Sequence, residues 1–351
     1  MFSQNVLHST LNHPRSGDRL VKEQVPYQKP DHPGMNRTWD FSFTESEPDY
    51  PVEYFSREDC PLISSENGIL FMYRLSGDSL LLNGYETSGD LVHFREPALL
   101  LKYPAVYGSE SQSSFLARGK HDDRMESVIS GTIHTQADAY GTLILPGDTL
   151  ENTVRIHIRR IETGYYQPLS TQFSFDEPVG ETAFSDSSRR KDMITTDTWQ
   201  WYEEGFRYPV FETVETCRTL EGKDYSLRKE SYLYRPAGQA VLPADSANQA
   251  LLNKKQAAKK KSLLGKESNI LYFSCYPNPV HNLLEVQLSF RESSPVQLSL
   301  YSLSGKELYR SEGESTTGYH STIDMSAYPA GTYLLRVLAG EASKTEKIIK
   351  Q

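Results

Sequence analysis

The chain reads as all-β, with an N-terminal antiparallel β-rich domain, a sandwich or open barrel, joined through a Lys-rich linker to a small immunoglobulin-like β-sandwich. Three observations predict this. Apolar and polar residues alternate with period two in segment after segment. Turn formers recur at short intervals between those segments. Aromatic residues that favour a pleated surface are plentiful, with 22 Tyr and 14 Phe in 351 residues. The length suffices for two separate cores. In residue terms we expect an irregular arm over 1–38, the β-rich domain over 39–244, the linker over 245–269 and the terminal sandwich over 270–351.

The arm is polar and rich in Pro and His, with little periodicity. Trp39, Phe41 and Phe43 then alternate around Asp40 and Ser42, giving a first strand with an aromatic face. Ile69 to Leu75 and Ser79 to Tyr85 flank Ser76-Gly77-Asp78, which reads as a hairpin. Leu99-Leu100-Leu101, between Pro97 and Pro104, is a short buried run. Thr142 to Leu145 and Val154 to Ile161 flank Pro146-Gly147-Asp148, where the Pro-Gly pair signals a type II turn.

In that last strand Val154, Ile156 and Ile158 face one way and Arg155, His157 and Arg159 the other, so the pattern predicts a cationic outer row. A docking face for an acidic or sulfated glycan is one reading of the row. An ordinary solvated face balanced by nearby carboxylates is the simpler one. Thr196 to Glu215 crowds Trp199, Trp201, Tyr202, Phe206, Tyr208 and Phe211 into one span, which reads as a core corner before it reads as a stacking platform. Asp245 to Glu267 has helix-forming composition without a clear face, and is expected to be an exposed linker, partly helical at most, whose six lysines between Lys254 and Lys266 invite proteases.

In the tail, Leu284, Val286, Leu288 and Phe290 alternate with Glu285, Gln287 and Ser289, and Val296, Leu298 and Leu300 repeat the pattern. Turn formers at Ser293-Ser294-Pro295, Ser304-Gly305 and Pro329-Ala330-Gly331 divide the segment into roughly seven short strands. Four landmarks stand in order: YPNPV at Tyr276 to Val280, LYSLSGKEL at Leu300 to Leu308, IDMSAYPAGTYLLRV at Ile323 to Val337, and the closing KTEKIIK before Gln351. Together they resemble the type A C-terminal sorting domain of the type IX secretion system of Bacteroidetes-type bacteria. The resemblance implies a sorting signal carried by Pro277, Asn278, Pro279, Gly305, Gly331, Thr332, Tyr333, Lys347 and Lys350, with the outer-membrane secretion machinery as partner. It implies a secreted or cell-surface location reached through the periplasm, and a tail commonly removed during export. Such a route needs a signal peptide, and the stretch after Met1 lacks an apolar region, so we expect the leader to be missing from this sequence. Ala137 to Thr149 and Trp201 to Glu212 are similar to segments of uncharacterised exported proteins bearing the same tail, although Ala139 stands where those segments tend to carry glycine; that similarity implies no activity.

Charge narrows the partners. The chain carries net −9, and residues 1–252 hold 24 Lys+Arg against 37 Asp+Glu, a balance of −13 that argues against nucleic acid. No apolar run approaches the roughly 20 residues of a membrane-spanning helix. A glycan or other surface ligand remains the candidate partner of the cargo. Cys60 and Cys217 are as compatible with pairing as with being small buried residues, and Cys275 is left over. No Cys-x-x-Cys exists to suggest a cysteine zinc site.

No catalytic, cofactor or metal residue is assigned. Gly77-Asp78-Ser79-Leu80 spells the nucleophile motif of GDSL-type esterases, and Asp90 with His93 spells that family's second pair. Their spacing of about ten residues is far too short, so the hairpin reading prevails. His121, Asp122, Asp123, His134 and Asp138 are metal-ligand types at a spacing that matches no site, and Glu203-Glu204 are neighbours that a strand points to opposite faces. We therefore expect a non-catalytic binding or structural cargo. The alternative is a secreted hydrolase with an unrecognised site, for which His121, His134 and Asp138 are first suspects.

Overall fold

A computed structural model of the chain describes residues 5–42, 47–175, 192–267, 270–302, 306–340 and 342–351. Two compact units divide it, Met1–Leu252 and Asn253–Gln351.

The first unit begins with a single helical turn, α1 (Ser9–Asn12), and two strands, β1 (Arg19–Val25) and β2 (Gly34–Asp40). There follow β3 (Glu47–Phe55), β4 (Leu62–Glu66), β5 (Ile69–Ser76), β6 (Ser79–Glu86), β7 (Asp90–Lys102) and β8 (Glu110–His121). Two long strands, β9 (Met125–Leu145) and β10 (Asp148–Pro168), lead to β11 (Asp192–Tyr202), β12 (Phe211–Leu220) and β13 (Lys223–Leu233). The short helix α2 (Pro236–Gln239) and the long helix α3 (Ser246–Glu267) complete the series. Hydrogen-bonded neighbours run β10-β11-β12-β13-β1-β3-β4-β5-β6-β7-β8-β9, and β9 pairs back to β10, so these strands close into a ring of antiparallel partners. Closure removes the free edges that an open sheet exposes to aggregation.

Period-two alternation sets the inside of the ring. Leu80, Leu101, Ala137, Val154, Ile156 and Tyr202 form one core cluster, and β6 reaches β10 and β11 there across the interior. Phe94, Phe115, Ala117 and Ile133 belong to a second. The hairpins fall where the turn residues predict them, with Gly77 at φ 56° between β5 and β6 and Gly147 at φ 83° between β9 and β10.

The N-terminal segment is not an irregular arm. β1 sits inside the ring between β13 and β3, and β2 lies parallel to β9 with Thr38 opposite Thr142 and Trp39 opposite Leu143. Periodicity missed β1 because two of its buried positions are charged, Lys22 and Glu23. The Lys22 ammonium is ion-paired with Glu66 and, at 2.9 Å, with Glu212, and lies over the Tyr232 ring. Trp39 and Phe41 are buried as expected, whereas Phe43 lies outside the described residues. β2 approaches β9 so closely that a Cβ on Gly141 would stand 1.9 Å from the Arg37 carbonyl oxygen.

One end of the ring is closed by a buried polar network. Arg207 donates to the His13 carbonyl at 2.6 Å and to Asp245 at 2.7 Å; Asn248 donates to the Leu11 carbonyl and to Asp245; Tyr208 donates to Asp18 at 2.8 Å. Burial pushes the Asp18 carboxyl upward, against the pull of that hydrogen bond and of Arg15 and Arg207. The first turns of α3 are therefore anchored to the first unit, with Leu252 against Gly205. The linker expected to be exposed and partly helical at most is a continuous helix from Ser246, because a buried Asp-x-x-Asn start fixes its first turn.

Among the described residues the second unit has five strands: β14 (Ile270–Tyr276), β15 (Leu283–Ser302), β16 (Glu307–Asp324), β17 (Gly331–Ala339) and β18 (Ala342–Lys350). Fewer strands appear than the seven predicted because β15 runs through Ser293-Ser294-Pro295 as a register shift rather than a turn. β15 pairs with β14 along its first half and with β17 along its second, while β16 follows its other edge. The sheet thereby curls around a core of Leu284, Val286, Leu298, Leu300, Leu335 and Val337, all fully buried. All three cysteines are free thiols.

Candidate functional site

The described tail residues singled out from the sequence converge on β18, although they span Pro277 to Lys350. β14 ends at Tyr276, and the following segment contains two cis peptide bonds, Tyr276-Pro277 and Asn278-Pro279. In this segment the Asn278 side chain lies against the edge of β18. Its Nδ2 donates to the Lys347 carbonyl at 2.7 Å, and its Oδ1 accepts from the Ile349 amide at 2.9 Å. The Val280 amide donates to the Ile349 carbonyl, the Gln351 amide donates to the Val280 carbonyl, and the Val280 side chain is fully buried. One asparagine thus mimics a strand partner for an otherwise open edge.

The opposite edge of β18 is paired with β17 in the register Gly331↔Lys350, Thr332↔Ile349, Tyr333↔Ile348 and Leu334↔Lys347. Tyr333 and Ile348 point into the core, and the Tyr333 hydroxyl donates to the Pro329 carbonyl at 2.7 Å. The amide of Ser302, opposite Tyr333 in register, donates to the Lys306 carbonyl. Gly305 lies outside the described residues. On the outer face Lys347 is exposed, and Leu334 and Ile349 keep 37% and 39% of their surface accessible.

This arrangement has a counterpart among known families. Residues 274–351 match the model described as "Secretion system C-terminal sorting domain". The tail is a type IX secretion sorting domain. No curated protein matches the chain. Among solved structures, dimeric latent PorU from Porphyromonas gingivalis aligns at 10% identity over 95% of this chain and 34% of its own length, with a TM-score of 0.20. The chain spans about a third of that protein, and so low a score carries no structural argument. The sorting domain implies secretion or display at the cell surface and an interaction with the secretion machinery. Among the described residues no helix is long and apolar enough to cross a membrane.

The catalytic decoys of the first unit are not brought together. Ser79 pairs with Lys102 in register while His93 pairs with Gly84, five positions further along β6, a distance of about 17 Å at the usual strand rise. The His93 ring stacks instead on Phe175 at 4.3 Å. His121 bonds Asp90 at 2.9 Å beside a hairpin turn where Asp122 and Asp123 both have positive φ. His134, nine positions along β9 from Met125, faces Glu110 at 3.7 Å, and Asp138 is taken up by Arg155. Among the described residues no three His, Cys, Asp or Glu side chains are grouped as metal ligands. Glu203 is buried and accepts from Thr153.

The expected cationic outer row is also corrected. Arg155 does lie on the outer face, but it is completely buried, because the segment from Pro30 to Phe41 covers that face. Its guanidinium makes a two-pronged pair with Asp138 at 2.8 and 2.8 Å, donates to the Pro30 carbonyl, and lies beside both the Trp39 and Trp201 rings, which meet edge to face. His157 bonds Asp197 at 2.7 Å and stacks on Trp199; Arg159 approaches the same carboxylate. Each of the three side chains of this row thus has a carboxylate beside it, the balance that the solvated-face reading expects. The aromatic span from Thr196 to Glu215 is core, with Trp201, Phe206, Tyr208 and Phe211 all buried.

Proposed function

We propose that this protein is a surface-delivered, non-catalytic binding cargo. In this reading the strand ring and the segments packed on it, within Met1–Leu252, form its functional body, the rest of α3 leads to the tail, and residues 270–351 address it through the periplasm to the outer-membrane machinery. The observation that carries the addressing part is the meeting of Pro277 to Val280 and Gly331 to Tyr333 on the two edges of β18. We assign the sorting signal to that composite end, with Lys347 and Ile349 presented to the machinery. What supports binding over catalysis is that the polar residues suited to chemistry are dispersed or paired with one another, while a closed ring of strands surrounds an interior.

Ser79 supplies the sharpest check of the non-catalytic part. Purified protein is expected to show no ester hydrolysis and no labelling of Ser79 by a fluorophosphonate probe, and Ser79→Ala is expected to shift stability by no more than about 0.5 kcal/mol. Hydrolysis that disappears with Ser79→Ala, together with labelling of that serine, would overturn it.

A further inference from the structure

Lys22 is a charge held out of water between two others. It lies on β1 opposite Tyr50 in register, and its side chain is 5% exposed. Its Nζ touches two carboxylates, Glu66 of β4 and, at 2.9 Å, Glu212 of β12, and sits 4.2 Å from the centre of the Tyr232 ring. Glu212 is itself 8% exposed, so one ammonium and two carboxylates share a largely dry site at net −1. Taking such charges out of water is costly, and well-packed apolar residues often hold a fold as well.

The two carboxylates are placed differently. Glu212 stands opposite Gln200 on one side and Tyr232 on the other. The Gln200 amide donates to Glu212 Oε2 at 2.7 Å, while Lys22 Nζ lies on Oε1. A nitrogen in contact with one carboxyl oxygen is close to the range of about 3–3.5 Å from which it attacks the carbon. A donor on the other oxygen stabilises the negative charge that the attack develops there. Glu66 also touches Nζ, and its Oε1 is held by the Tyr50 hydroxyl at 3.0 Å, which suits it to carry protons.

We propose that Lys22 and Glu212 condense into an internal amide, with Glu66 carrying the protons and Gln200 holding the oxygen that stays. Burial opposes the Lys22 ammonium, but the groups around it, Glu212 first, outweigh burial and keep it protonated, so the reaction begins by passing a proton to Glu66. The freed lone pair on Nζ attacks the Glu212 carboxyl carbon, the C–N bond forms, and the bond to Oε1 breaks. Two protons leave the nitrogen in turn and reach the departing oxygen through Glu66, and that oxygen leaves as water. One ammonium and one carboxylate thereby become one neutral amide and one water, with no oxidant or cofactor. Removing two buried charges favours the product.

The bond ties β1 to β12 across β13, and brackets the chain between residues 22 and 212. All three cysteines are free, so this is a covalent tie of a kind the thiols do not supply. It forms once per molecule, which leaves the reading of a non-catalytic cargo untouched.

Mass spectrometry of the denatured, reduced full chain tests the proposal. The expected mass lies below that of the sequence by one water, and a peptide map is expected to contain one branched peptide joining the segments that carry Lys22 and Glu212. Lys22→Arg is expected to restore the full mass and to unfold at lower urea concentration than the parent. Glu66→Gln, which keeps the shape of the side chain, is expected to leave most of the purified protein at full mass. A parent chain with a native circular dichroism spectrum but the full sequence mass would overturn the proposal, leaving an ion-paired triad. A branch from Lys22 to any other carboxylate, or complete linkage in Glu66→Gln, would overturn the roles assigned. Should either variant not fold, the mass and peptide map of the parent still decide.

Discussion

Replacing Arg155 with alanine is expected to destabilise the first unit by about 3–5 kcal/mol, because the Asp138 carboxylate is left buried without its partner. The loss goes beyond the ion pair. Arg155 also ties the Pro30 carbonyl to β10 and packs beside both the Trp39 and Trp201 rings, so the covering segment loses its anchor. Urea denaturation of the variant checks the magnitude. The double replacement Arg155→Met with Asp138→Leu removes both charges and is expected to be less destabilised than Arg155→Ala alone. Equal stability of Arg155→Ala and the parent would show that the covering segment contributes little.

The second large effect concerns export and is nearly decoupled from stability. Asn278→Ala removes both side-chain bonds to β18, yet the residue is exposed and the core beneath it is intact, so the expected stability cost is about 1 kcal/mol. If the composite end of the tail is what the machinery reads, the surface or secreted fraction falls several-fold all the same. Gln287→Ala, at a half-buried hydrogen-bonding position of the same domain, is expected to leave export unchanged. Immunoblots of the surface, medium and periplasmic fractions for both variants decide the matter. Parallel behaviour of the two would place the signal elsewhere on the domain.

The legibility of this fold in its sequence differs from element to element. Hairpins with Gly77 and Gly147 were readable because turn chemistry is local, and the tail was readable because its landmarks are short and ordered. β1 was not, since Lys22 and Glu23 occupy buried positions that a hydrophobicity pattern assigns to solvent. Their partners, Glu66 and Glu212 for Lys22 and Arg235 for Glu23, are remote in sequence. Arg155 illustrates the same limit. Alternation places it on the outer face of β10 correctly, but only the fold reveals that residues 30–41 cover that face. Ring closure was equally hidden, because nothing local in β9 and β10 announces that their pairing completes a circuit begun at β11. At the candidate site, the residues of the sorting signal were legible one by one. Their meeting on β18 was not, since it depends on an asparagine side chain bonding backbone 69 and 71 residues away.

The central claim is that residues 270–351 address the protein beyond the periplasm. The most direct measurement compares the full chain with a version truncated before Ile270, both produced in the native host from the same export leader, by quantitative immunoblot of fractionated cells and medium. The account predicts that the truncated protein accumulates in the periplasm and is depleted from the surface and the medium, while the full chain reaches them. Equal amounts of the two proteins outside the cell would contradict it.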